Sequence, residues 1–426
     1  MRIVYIVAGA GGMYCGACAR DVNLVRELIA RGHDVDVVAL YTPLHADEES
    51  TLGSAPIFYG GINVYLQQVA SVFQHTPATL DRMLDNPSLL NWVSKFAIRT
   101  RAEDLGPMTV SVLEGKSGKQ KKELARLLDY LDDGSEKAVV NITNSLLSGI
   151  APDLKARLNV PVVCTLQGED GFVGVMPEPY RSEARRLMAA NSRSIDAFIS
   201  PGESYAARMS EFLSAPREKI HIVRAGINIG TYSRPDSRVR SPITIGYLSS
   251  ITPAKGLDIL VDAFADLSNT QGRDARLRIA GKVVDQEYWN AIKKRMEAEG
   301  LSSRYEYVGE IDLEEKVQFL RQCSVFAVPS RIEESRGMAV MEAMASGVPV
   351  LVPDTGVFPE MIELTGGGVV VPSGDSEALA SAVAQIMDDP DHADAIGNAA
   401  TTGIGKHYNS KQMAEQTLAV YASLLQ

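Results

Sequence analysis

The stretch Glu334-Ser-Arg-Gly-Met-Ala-Val-Met-Glu342, continued by Ala-Met-Ala-Ser-Gly347-Val-Pro349, decides how this chain is read. Gly337 permits a close backbone turn. Met338 to Ala345 then reads as a short helix, Gly347 as its stop and Pro349 as a bar to its continuation. The first turn of such a helix offers free N–H groups, a seat for phosphate. Glu334 falls in the loop before the helix and Glu342 within it, so the two acids are expected to flank a bound diphosphate. A nucleotide-diphosphate sugar has that layout, with ribose to one side and hexose to the other. Because Met338, Ala339, Val340, Met341, Ala343, Met344 and Ala345 are apolar, the helix is expected to be buried, and Glu342 on it needs a partner.

Size and composition bound the rest. The 426 residues are enough for two cores, and 45% hydrophobic with 22% charged residues is an ordinary soluble composition. A formal net charge of -11 argues against nucleic acid as a partner. The apolar start, Arg2 to Ala8, is too short for a signal sequence and reads as a first strand. No run approaches the roughly 18 apolar residues of a membrane span. A cytoplasmic location is expected, with peripheral membrane contact left open. Cys15, Cys18, Cys164 and Cys323 make no disulfide framework. Cys15-Gly-Ala-Cys18 has redox spacing, but two small packing residues are the plainer reading, and no second pair completes a zinc site.

Outward from the motif, strand, loop and helix repeat in two series. The first holds apolar strands at 2–8, 35–40, 138–142, 161–166, 195–200 and 220–224, with a helix at 19–31. The second holds strands at 243–248, 277–280, 305–308, 324–328, 350–353 and 369–371, with helices at 256–268, 286–299, 313–321 and 338–345. The order predicts an α/β chain of two Rossmann-like parallel-sheet domains facing each other across a cleft. The expected boundaries are 1–232 for the first domain and 233–409 for the second. A helical insertion is expected at 41–135, and a last helix near 410–426 should return to the first domain. His33, after Gly32, reads as a turn residue. The polar run Glu114 to Lys122 fails the phosphate-loop pattern, because Val110 stands where its first glycine belongs; it reads as a solvated loop leading into a helix at 120–132. A dinucleotide fingerprint fails as well, since Tyr14 occupies the third glycine's place.

Pro253-Ala-Lys255-Gly256, Pro329-Ser330, Glu334, Gly337, Glu342, Gly347-Val-Pro349, Gly356 and Pro359-Glu360 resemble the retaining glycosyltransferases of family 4, of the GT-B fold. Gly12, Gly32-His33-Asp-Val35 and Gly226-Ile227 are weaker marks in the first half. The resemblance covers roughly 2–40 and 138–425. It implies transfer of a hexosyl group from a nucleotide-diphosphate sugar to a hydroxyl acceptor, with retention of configuration and without metal or other cofactor. The acceptor is expected to be a glycan, a lipid-linked sugar or a small hydroxyl compound.

The resemblance also implies residue roles. Glu334 would hydrogen-bond the donor sugar, Glu342 the ribose, and Lys255 would neutralise the leaving diphosphate. Gly337, Met338 and Gly12 would close on the phosphates. Apart from the resemblance, small side chains near Gly281, Gly309-Glu310 and Ile332 are expected to choose the base, whose identity the sequence does not give. Three positions depart from the family pattern. Ser250 stands where an arginine is frequent, and Arg336 where phenylalanine is common, so Arg336 is expected to take over the missing diphosphate contact. Gln167 stands where a histidine is frequent and cannot act as a base. That leaves Glu169 or Asp170 either to position the acceptor or only to cap the next turn. Trp92, Lys95, Phe96, Arg99 and Arg101 form either a basic membrane-facing patch or an ordinary helix face. Two other functions fit the same motifs: an epimerase acting on nucleotide sugars, and a non-catalytic binder of nucleotide sugars or glycans.

Overall fold

Long apolar strand runs bounded by glycine and proline specify parallel sheets covered on both faces. The computed structural model describes residues 1–9, 16–41, 58, 105–232 and 242–426. It contains two six-stranded sheets, ordered β2-β1-β3-β4-β5-β6 and β12-β11-β10-β7-β8-β9. Every strand pair is parallel. The first sheet comprises β1 (Arg2–Val7), β2 (Asp34–Ala39), β3 (Val139–Ile142), β4 (Val162–Thr165), β5 (Ala197–Ser200) and β6 (Ile220–Ile222). The second comprises β7 (Ile243–Leu248), β8 (Ala275–Ala280), β9 (Tyr305–Gly309), β10 (Val325–Ala327), β11 (Val350–Pro353) and β12 (Gly368–Val371).

Alternate residues of each strand feed opposite cores. In the first sheet Val4, Ile6, Val38, Val140, Val162 and Phe198 enter one cluster, whereas Ile3, Tyr5, Val7, Val37, Val163 and Ile199 enter the other. The second cluster also takes Met413, Ala414, Val420 and Tyr421 from the C-terminal helix (Ser410–Ser423). In the second sheet Ile245, Tyr247, Leu277 and Ile279 face one core, and Phe326, Val350 and Val352 the other. The helix Met338–Ala345 packs on that last core through Val340, Met341, Ala343 and Met344.

The chain divides into Met1–Val223 with Met413–Gln426, and Arg224–Gln412. The expected boundary at 232 therefore moves back, for a physical reason: residues 224–232 are bonded into the second unit. Arg224 pairs with Glu360 at 2.6 Å, Ile227 forms a bridge with Asn409, and Tyr232 OH donates to Glu342 at 3.0 Å. The expected start of the returning segment at 410 shifts to 413. Most of the expected insertion at 41–135 lies outside the described residues, together with Gly12, Cys15, Trp92, Lys95, Phe96, Arg99 and Arg101.

A further expectation in the described part needs correction. The run from Glu114 is not simply a solvated loop. Lys116, Lys119 and Lys121 are exposed, but Gly115 is buried in a single 3-10 turn (Gly115–Ser117) before the helix Lys121–Leu131. Its φ is +56°, and a Cβ there would lie 2.2 Å from the Gly149 carbonyl oxygen. Gly115→Ala thus combines a left-handed backbone with a backbone clash. It should destabilise the first unit by about 2–4 kcal/mol, read as a lowered urea midpoint. An unchanged midpoint would mean that the turn adapts.

Candidate functional site

In an open parallel sheet, ligands bind beyond the carboxyl ends of the strands where the strand order reverses. In the second sheet β7 lies between β8 and β10, so the reversal falls between β7 and β10. The loop after β7 carries Lys255 and the loop after β10 carries Glu334. Topology thus delivers both residues to one crevice, and their side chains form an ion pair, Lys255 Nζ to Glu334 Oε1. The two side chains are 20% and 23% exposed, so the pair is open to a ligand.

Close backbone approach holds this pair in place. Pro253–Lys255 form one 3-10 turn, and Gly256 follows at φ +69°. A Cβ at Gly256 would stand 1.8 Å from the Pro329 carbonyl oxygen, so only glycine lets the lysine turn lie on the end of β10. Arg331 fastens the two loops together. Its N–H donates to the Ala254 carbonyl at 2.9 Å and its Nη1 to the Pro253 carbonyl at 2.8 Å. Its guanidinium also forks onto Asp258 at 2.7 and 2.6 Å. Burial opposes ionisation of Asp258, yet the bonds from Arg331 and from Tyr288 outweigh it and hold the carboxyl below its usual range. The Val357 N–H donates to the Glu334 carbonyl at 2.8 Å, which fixes the backbone on the other side.

Gly337, at φ +66°, starts the helix Met338–Ala345. The N–H groups of the first turn have no acceptor within the helix, and the helix begins at Met338, four residues after Glu334. Arg336 and Met338 are half-buried beside this turn, whereas Ile332 is exposed. Ser250 is half-buried in the lysine loop. Gly281, at φ +128°, packs so closely on that loop that a Cβ would lie 1.9 Å from the Ser249 carbonyl oxygen.

Glu342 lies inside the same helix, 4% exposed. Its Oε1 accepts from Lys316 Nζ at 2.9 Å and from Tyr232 OH at 3.0 Å. The expected partner exists, but sequence reading missed its identity. One signal was available: Lys316 shares the buried face of the helix Leu313–Arg321 with Phe319 and Leu320, three and four positions on.

The proposed acceptor-side residues belong to the first unit and are tied into it. Gln167, 7% exposed, donates through Nε2 to the Thr143 carbonyl at 2.7 Å and to Asp21 Oδ2 at 3.2 Å. Asp21 also accepts from Tyr5 OH and Arg20 Nη1, both at 2.9 Å. Glu169 is 2% exposed. Its carboxylate accepts the N–H groups of Ser145, Gln167 and Gly168 at 2.8, 2.8 and 2.9 Å, and Tyr205 OH at 2.9 Å. Burial, with the Glu169 charge adding to it, pushes the Tyr205 hydroxyl well above its usual range. Asp170 pairs with Arg208 at 2.8 Å. Among the described residues no group of His, Cys, Asp and Glu is placed to hold a metal ion, and no helix is long and apolar enough to cross a membrane.

Comparison with known proteins adds a second line of argument. Residues 16–226 match the glycosyl transferase 4-like domain model, and residues 232–402 match that of glycosyl transferases group 1. The lipopolysaccharide core biosynthesis mannosyltransferase LpcC of Rhizobium leguminosarum is 28% identical over 243 residues, covering 55% of this chain and 66% of its own length. A D-inositol 3-phosphate glycosyltransferase of Segniliparus rotundus is 25% identical, covering 64% of this chain and 63% of its own length. The GDP-mannose-dependent alpha-(1-6)-phosphatidylinositol monomannoside mannosyltransferase of Mycobacterium tuberculosis is 27% identical, covering 64% of this chain and 71% of its own. The chain thus spans about two thirds of the length of these relatives. Among solved structures, HepE of Anabaena in complex with UDP covers all of both chains with a TM-score of 0.71 at 16% identity. Sucrose-phosphate synthase of Thermosynechococcus elongatus gives 0.69 at 18% identity, covering 99% of this chain and 98% of its own.

Proposed function

Because the chain belongs to family 4 of the glycosyltransferases, with the GT-B fold, we propose that it moves a hexosyl group from a nucleotide-diphosphate sugar to a hydroxyl acceptor, with retention of configuration. The observation that carries this reading is the partly exposed Lys255–Glu334 pair at the β7–β10 reversal, close in sequence to the helix that starts after Gly337. Breaking the glycosidic bond leaves the bonding electron pair, and so a new negative charge, on the diphosphate. A fixed ammonium and oriented N–H groups stabilise that charge more as it grows, which is what lowers a barrier. Glu334 orients Lys255 and accepts hydroxyl protons of the donor sugar. Glu342 takes the ribose hydroxyls. Arg336 supplies the diphosphate contact that Ser250 cannot. Gly281 and Ile332 border the base. Gln167, with Asp170, faces the acceptor. No metal is assigned to the step.

The relatives' names place mannose and lipid-borne glycans at the head of the substrates to try. A thermal-shift panel of UDP, GDP, ADP and their hexose conjugates tests the donor reading. A ligand at 100 times its dissociation constant should stabilise the fold by about 2.7 kcal/mol. No shift with any nucleotide overturns the reading. Proton NMR of the first glycoside formed tests retention, and an inverted anomer overturns that part alone. Arg336→Ala should weaken binding of the active nucleotide sugar about tenfold or more, as for a lost charged hydrogen bond, and Ser250→Ala less than threefold. Equal losses in calorimetric titration would remove Arg336 from the site.

A further inference from the structure

The loop that carries Lys255 is short and, by its own bonds, loosely set. Pro253–Lys255 make a single 3-10 turn. Its bonds run from Lys255 N–H to the Thr252 carbonyl at 3.1 Å and from Gly256 N–H to the Pro253 carbonyl at 3.2 Å. A turn of this kind has poor hydrogen-bond geometry, and the lysine stem beyond it is flexible. The position of the ammonium therefore depends on what grips the turn from outside. Asp258, in the first turn of the helix Leu257–Ala265, is the point of grip. Arg331, from the loop after β10, forks onto both of its carboxylate oxygens. Tyr288, from the helix Gln286–Ala298 that follows β8, donates to Oδ1 at 2.6 Å and accepts the Asp258 N–H at 2.9 Å. Because Arg331 also bonds the Pro253 and Ala254 carbonyls, it holds the chain on both sides of Lys255. It stands three residues before Glu334, with which Lys255 is paired. Lys255 and Glu334 are thus joined twice, once directly and once through Asp258 and Arg331.

Stability does not account for this clasp. The side chains of Arg331 and Asp258 are 42% and 39% exposed, and ion pairs that open add little to folding. What a bidentate guanidinium–carboxylate pair does supply is direction as well as distance. A cation that must stabilise a leaving diphosphate needs both, since a misplacement of about 1 Å can cost about 100-fold in rate. We propose that Arg331, Asp258 and Tyr288 are positioning residues that hold the Lys255 ammonium at the diphosphate of the donor. They act through the Pro253–Lys255 turn and touch no substrate themselves. The proposal rests on the donor reading above.

The test is calorimetric titration of the full chain with UDP, GDP and ADP, each variant being checked by a circular-dichroism melt. Wild type should bind one of these nucleotides. Lys255→Ala and Arg331→Met should each weaken that binding about tenfold, the scale of one hydrogen bond to a charged group, with melts close to wild type. The double variant should bind no more weakly than Lys255→Ala alone, because an absent ammonium cannot be misplaced. Additive losses would put Arg331 on the ligand or in the general fold, and they overturn the proposal. Asp258→Asn separates position from charge. Removing a negative charge near a diphosphate site should tighten binding by electrostatics alone, whereas loss of the clasp should weaken it. Tighter binding in that variant overturns the proposal, as does unchanged affinity in Lys255→Ala or Arg331→Met; each leaves the donor reading intact. Binding of no nucleotide by wild type overturns the donor reading itself, and the proposal with it. If Arg331→Met does not fold, Tyr288→Phe, which removes one hydroxyl and no charge, takes its place in the same cycle with Lys255→Ala.

Discussion

Lys255→Ala should lower turnover with a saturating nucleotide sugar by about 10²–10³-fold, roughly 3–4 kcal/mol of transition-state stabilisation, with little change in unfolding. The split between chemistry and stability follows from exposure. Lys255 and Glu334 are about one-fifth exposed, so water can solvate the glutamate once the lysine is gone. Removing one partner of a pair this open costs at most about 1 kcal/mol of folding free energy. The charge that Lys255 meets during reaction differs from the one it meets at rest. In the free protein it rests on one carboxylate. During transfer it must also accommodate a diphosphate gaining negative charge, where a preorganised cation acts without the reorganisation that water would need. Initial rates at saturating donor, with circular-dichroism melts of both proteins, separate the two effects. A loss under tenfold with an intact melt would remove Lys255 from the chemistry. A loss explained by unfolding would make it a structural lysine.

How far the sequence reached differs between the two halves for a physical reason. The strands Ile243–Leu248 and Val350–Pro353 and the helix Met338–Ala345 lie where apolar runs and their glycine and proline stops put them. Those signals are local. The meeting of Lys255 with Glu334 was legible as well, because both follow strands that parallel-sheet topology places at a reversal. The partners of Glu342 were not, since Lys316 and Tyr232 stand 26 and 110 residues away and only tertiary packing brings them in. Nor was Arg331, which bolts the lysine turn to the motif loop through Pro253 and Asp258, singled out by any local pattern. At the division between the units, turn-rich composition pointed to residues 233–242, but the bonds of Arg224, Ile227 and Tyr232 set the boundary earlier. Composition marks where chain is free to bend. It does not show which side has already been bonded.

Glu169→Ala should destabilise the first unit by about 2–5 kcal/mol, whereas Asp170→Ala should cost about 1 kcal/mol or less. Both acids were candidates for positioning the acceptor, and only their surroundings distinguish them. The Glu169 carboxylate is buried and serves as common acceptor for the loop after β4 and for Ser145 beyond β3. Without it, the N–H groups of Ser145 and Gln167 lose this acceptor; Gly168 keeps one, because it also donates to Tyr205 OH at 2.6 Å. Each stranded buried donor costs about 1–3 kcal/mol. Asp170 is more open, 17% exposed, and its pair with Arg208 belongs to the weak class of partly solvated bridges. Glu169→Gln sharpens the contrast. Its amide can turn the oxygen toward Ser145 or toward Gln167 and Gly168, but its NH₂ must then face the other set of donors, so the isosteric change should destabilise too. Urea titration of the three variants, followed by far-UV circular dichroism, reads the order Glu169→Ala, Glu169→Gln, Asp170→Ala from the largest loss to the smallest. Wild-type stability in Glu169→Gln, joined to lost transfer, would reverse the assignment. The carboxylate would then act on the acceptor, and the bonds that now occupy it would have to open when the acceptor binds.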